Sequence, residues 1–123
     1  MKIRAVRGAT TVEADDREAI LAATGELLTE ILRQNKIEPA ELVSAFFTVT
    51  PDLTQAFPAE AARRLGLNGL PALGAVEAVV PGAPEFCIRV LLHVYTTGSQ
   101  EEVNHVYLRR AKALRPDRVR EKD

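Results

Sequence analysis

The sequence predicts a small single-domain α/β protein, α+β-like in its mixed sheet, with the element order β-α-β-α-β-β-α. Three observations carry that prediction. The chain has 123 residues, the size of one domain and enough to bury about two thirds of its unfolded surface. Segments rich in β-branched and aromatic residues alternate with segments whose apolar residues recur at helical spacing. The two longest strand-like segments are also apolar on more than one face, so helices on one side of the sheet leave apolar surface over.

Ile3 to Val6 reads as the first strand, ended at Gly8. Asp15 is a suitable N-cap, with Glu18 three residues later completing a capping-box pattern. Ile20, Thr24, Leu27, Leu28, Ile31 and Leu32 then follow helical spacing, and Asn35 is the expected stop. Pro39 opens a short helical turn in EPAEL. LVSAFFTVT (42–50) is the second strand, with Phe46 outward and Val43, Ala45, Phe47 and Val49 on the opposite side. After Pro51-Asp52, FPAEAARRLG (57–66) is a short helix with Pro58 in its first turn and Gly66 past its end. Leu70 to Val80 is a third strand, and PGAP (81–84) joins it in a hairpin to FCIRVLLHVY (86–95). Ser99 and Glu102 form a capping box for a last helix whose inner face is Val103, Val106, Tyr107 and Ala111. LRPD (114–117) ends regular structure, and residues 118–123 form a basic, mobile tail beyond a domain spanning 1–117.

Composition narrows the function. The chain is 46% hydrophobic and 27% charged with a net charge of −1, as in ordinary globular proteins. No apolar run reaches the roughly 20 residues of a membrane span. MKIRAVRGA lacks the apolar h-region of a secretory signal, and the lone Cys87 fits a reducing cytoplasm. His93 and His105 are too few and too scattered for a metal site, so neither metal nor cofactor is expected. Residues 109–123 carry a net +4, leaving −5 on the rest. Without a nucleic-acid motif, that basic end reads as a solvated terminus or a flap over an anionic ligand.

The residues that look out of place are few. On the strand FCIRVLLHVY, Phe86, Ile88, Val90, Leu92 and Val94 make one apolar face. Arg89 stands on the other, between Cys87 and Leu91. A guanidinium among such neighbours needs an anionic partner, because it cannot shed its proton. Glu77 is the lone charge among Leu73, Ala75 and Val79, and on an adjacent hairpin strand it is one candidate partner; a ligand is the other. Arg7, Arg63 and Tyr107 complete the set. Several arginines with one glutamate suit a small dianion carrying a hydroxyl, and the nucleotide-binding, GxSxG and HExxH patterns are missing. Cys87 and His93 stand about three same-face steps apart, too far for a nucleophile and its base.

RGATTVE (7–13), TPDL (50–53), AFPAEAAR (56–63), CIRV (87–90), HVYLRRA (105–111) and LRPD (114–117) together resemble the monofunctional chorismate mutases of the AroH class, in register over nearly the whole chain. The resemblance implies homotrimers with a barrel-like centre and active sites at subunit interfaces. It also implies rearrangement of chorismate to prephenate. On it, Arg7 binds a substrate carboxylate, Glu77 the ring hydroxyl, Arg89 the ether oxygen and Tyr107 the side-chain carboxylate. Phe57, Ala59, Arg63, Leu73 and Gly74 come from the neighbouring subunit, with Leu114 and Arg115 near the mouth. Glu60 replaces an entrance lysine of some members, and Gly74 replaces a polar side chain near the hydroxyl. A trimeric imine or enamine deaminase and a non-catalytic metabolite-binding trimer are the other readings.

Overall fold

The computed structural model describes residues 1–114. In chain order the elements are β1 (Lys2–Thr11), α1 (Arg17–Asn35), β2 (Leu42–Val49), α2 (Ala59–Arg64), β3 (Ala72–Val76), β4 (Cys87–Thr96) and β5 (Val106–Tyr107). Short 3₁₀ turns occupy Pro39–Glu41, Gln100–Glu102 and Arg109–Ala113. The strands form one five-stranded mixed sheet in the order β3-β2-β4-β1-β5. β4 runs antiparallel to both β1 and β2, while β3 and β5 are parallel to the strands they flank.

Both α-helices pack on one face of this sheet. Val6, Phe47, Val90, Leu92 and Val94 meet Leu27, Leu28 and Ile31 of α1 in the main core, which Ala62 and Leu67 close at the α2 end. Gly8 marks the closest approach of helix and sheet: a Cβ there would lie 2.7 Å from Ile31 Cδ1. That packing, and not a turn, is the work of this glycine, so β1 runs on through it to Thr11. The opposite face of the sheet is largely bare, although Ala111 and Leu114 pack over Ala9 and Tyr107 at its β1–β5 edge. Ile3, Phe46, Leu73 and Tyr95 stand 43–65% exposed, and Phe46 points outward as its parity predicts.

Three boundaries differ from expectation. Asp16, not Asp15, caps α1 by accepting from the Ala19 backbone N–H. Asp15 instead accepts from the Thr54 hydroxyl and the Thr54 and Gln55 backbone N–H groups, and the Thr54 hydroxyl leads in holding its carboxyl below the usual range. The third strand covers only Ala72–Val76, parallel to β2, so no hairpin joins it to β4. Val79 and Val80 belong to an exposed connection, 83% and 58% accessible, with no strand to pair against. The predicted last helix is not formed. Ser99 and Glu102 do make a reciprocal capping box, but around a single 3₁₀ turn, and Val106 and Tyr107 then pair with Gly8 and Ala9 as β5. Apolar residues three and four apart fit that turn-plus-strand as well as a helix. No helix among the described residues is long and apolar enough to cross a membrane. The stretch RPD (115–117) and the tail 118–123 lie outside the described residues, as does the boundary drawn at 117.

Candidate active site

Strand register assembles the site on the bare face. Thr48 of β2 is opposite Arg89 of β4, Arg89 is opposite Ala9 of β1, and Ala9 is opposite Tyr107 of β5. One rung of the sheet therefore carries Thr48, Arg89 and Tyr107 side by side. The next rung sets Phe46, Leu91 and Arg7 across the same three central strands. Because the side-chain period is two, all of these point to one face. They line a cavity of about 540 Å³ with Glu77 and Leu114 at its edges.

Glu77 reaches the cavity from beyond the end of β3. Its backbone N–H donates to Val49 O at 2.8 Å, prolonging the β2–β3 ladder by one step. Glu77 and Arg89 are thus not on neighbouring strands, since β2 separates them, and they meet over Thr48. The Thr48 hydroxyl donates to Glu77 Oε2 at 2.5 Å, while Arg89 Nε stands 3.8 Å from that same oxygen. The ion pair is open: Arg89 Nε is buried and makes no hydrogen bond. Tyr107, only 7% exposed, likewise has a buried hydroxyl without a partner. Buried polar atoms in native proteins are nearly always bonded, so two unpaired ones facing one cavity mark a place for a ligand. Arg7 adds a second guanidinium, and its strand is fixed where its backbone N–H donates to His105 Nδ1 at 2.9 Å.

The remaining predicted residues stand elsewhere on the chain. Gly74 faces the other side of β3 from Glu77, opposite Phe47, and with the 79%-exposed Phe57 lines a separate cavity of about 410 Å³. Leu73 shares the bare face but lies outside the main cavity, and is 65% exposed. Ala59 packs against the core at the start of α2, and Arg63 projects from that helix into solvent. One copy of the chain therefore brings Arg7, Glu77, Arg89, Tyr107 and Leu114 together and leaves Phe57, Ala59, Arg63, Leu73 and Gly74 apart. Arg115 lies outside the described residues. Glu60 is paired with Arg17, whose guanidinium leads in holding its carboxyl below the usual range, so its charge is locally compensated. Cys87 is no nucleophile here: burial pushes its thiol up, with only partial relief from Arg89. Thr48 escaped the sequence reading, although the parity that turned Phe46 outward turns Thr48 to the same face.

Comparison with known proteins gives the family. The family described as chorismate mutase type I matches residues 3–118. The chorismate mutase AroH of Thermus thermophilus is 53% identical over 116 residues, covering 94% of this chain and 95% of that protein. That of Bacillus subtilis is 43% identical over 118 residues, covering 95% and 93%. A solved chorismate mutase from Clostridium thermocellum superposes with a TM-score of 0.87 at 44% identity, over 89% of this chain and 97% of that one. Fold, site and matches define an isomerase built on a mixed sheet with an arginine-lined cavity on its open face. More particularly, the chain belongs to the chorismate mutase type I family. Neither a deaminase nor a non-catalytic binding trimer gains support from these matches.

Proposed function

We propose that this protein rearranges chorismate to prephenate, supplying phenylalanine and tyrosine synthesis, in an open cavity completed by a neighbouring copy of the same chain. The observation that carries the reading is the convergence of two buried unpaired groups, Arg89 Nε and Tyr107 OH, on a cavity that also holds Arg7 and Glu77.

The chemistry asks for little more. In a [3,3]-sigmatropic shift the ether C–O bond breaks as a new C–C bond forms, and no proton changes hands. The barrier falls when the substrate is held in its compact diaxial conformer with the reacting carbons close. It falls further when positive charge faces the ether oxygen, which gains electron density as its bond lengthens. In this reading Arg7 takes a carboxylate, Tyr107 the side-chain carboxylate, Glu77 the ring hydroxyl and Arg89 the ether oxygen. Leu114 packs at the rim.

A homotrimer fits both the bare sheet face and the divided site. Phe57, Ala59, Arg63, Leu73 and Gly74 would reach the cavity from the adjacent subunit, converting a half-open concavity into a closed one. The reducing cytoplasm suits the unpaired Cys87. The test is direct. Purified protein mixed with chorismate should discharge the conjugated-diene absorbance and yield prephenate in equal amount without ammonia. Intact chorismate, or ammonia release, would overturn the reading.

A further inference from the structure

We propose that Thr48 is a positioning residue for this reaction: its hydroxyl pins one carboxylate oxygen of Glu77, which presents the other oxygen to the ligand and leaves Arg89 Nε without a hydrogen bond. The inference rests on the functional reading above and adds a residue to it.

The geometry singles Thr48 out. Its hydroxyl donates to Glu77 Oε2 at 2.5 Å, the short length of an O–H bond to a charged acceptor. Among the described residues no other hydrogen bond ends on that carboxylate. The main chain of Glu77 is tied to β2 through Val49 O, but the following connection from Ala78 to Ala83 is exposed. Three rotatable side-chain bonds would otherwise be free to move the carboxylate. Thr48 is the opposite case. It is β-branched, stiff about χ1, and sits on a strand paired on both sides, by β3 and β4. A rigid donor thus holds a mobile acceptor.

The second half of the inference comes from Arg89. Its Nε is 3.8 Å from the oxygen that Thr48 occupies, and it makes no hydrogen bond. Without the hydroxyl, Glu77 needs to shift by less than a bond length to close directly on the guanidinium. A closed pair would satisfy Arg89 internally and withdraw it from the ether oxygen. Thr48 therefore holds the pair apart, which is what an electrostatic catalyst preorganised for its transition state requires.

The experiment measures kcat and KM with chorismate for the wild type, Thr48→Ser, Thr48→Val, Glu77→Gln and the Thr48→Val/Glu77→Gln double variant. Circular dichroism and sedimentation are recorded on each. Thr48→Val should lower kcat/KM by about tenfold to a hundredfold, with much of the loss in kcat, as for one hydrogen bond to a charged group. Thr48→Ser keeps the hydroxyl and should stay within about threefold of wild type. In the Glu77→Gln background the valine should cost less than about threefold, because the residue acts through that carboxylate. Thr48→Ala removes the hydroxyl with less bulk and gives a second reading of the same loss. Equal losses for serine and valine, near-normal turnover without the hydroxyl, or full multiplication in the double variant would overturn the inference alone. A wild type that leaves chorismate intact would overturn the functional reading, and the inference with it.

Discussion

Replacing Arg89 by glutamine is expected to lower the turnover of chorismate by at least two to three powers of ten, on the order of what loss of one preorganised donor to a developing oxyanion costs. The guanidinium already stands on the cavity side of β4, with Nε buried and unbonded and Glu77 held off at 3.8 Å. In the proposed reading it therefore meets the substrate without first breaking a hydrogen bond at Nε. Negative charge at the ether oxygen grows as the C–O bond stretches, so the contact proposed for Arg89 would strengthen on the way to the transition state, and the loss is expected on kcat more than on KM. Lysine at the same position should rescue only part of the rate, because it supplies charge without the planar fork. The fold should survive the change, since the side chain is one-third exposed and its Nε makes no hydrogen bond. Near-normal turnover in the glutamine variant would reduce Arg89 to one half of a structural pair with Glu77.

Two inactive variants are expected to restore each other. Arg89 and Arg63 stand far apart on one chain, the first in the cavity of the bare face and the second projecting from α2. If a neighbouring subunit supplies Arg63, a chain carrying Arg89→Ala and one carrying Arg63→Ala each spoil a different side of the shared site. After denaturation and refolding as an equal mixture, roughly a quarter of the interfaces in a cyclic trimer carry both arginines. Activity should rise from near zero toward that fraction, while either variant refolded alone stays inactive. No recovery in assembled mixed trimers, or full activity in a monomer, would contradict a site divided between subunits.

The sequence made much of this readable because a strand's side chains alternate. Parity alone placed Arg89 away from Ile88, Val90 and Leu92, and the structure keeps those three buried and opens Arg89 to the cavity. The same parity turned Phe46 outward and showed a sheet with a face to spare. What parity cannot give is which strand lies beside which. Glu77 and Arg89 read as hairpin neighbours, yet β2 runs between them, and they come within 3.8 Å of each other across Thr48, which is in register with Arg89. Tyr107 fitted a helix because Val103, Val106 and Tyr107 have helical spacing. Its place in β5 depends on a partner nearly a hundred residues away in β1. Val79 and Val80 have the composition of a strand but no strand to pair with, so local propensity lost to tertiary context there.

The central claim is that charge and confinement, without proton transfer, carry the reaction. The rate of chorismate loss measured from about pH 6 to 9, in light and heavy water, tests it most directly. None of the cavity's lining residues is a histidine or cysteine, and the thiol nearest to it, Cys87, is pushed further toward its neutral form by burial. Turnover should be nearly level across that range, with a solvent isotope ratio close to unity. A bell-shaped profile with a large isotope effect would contradict it.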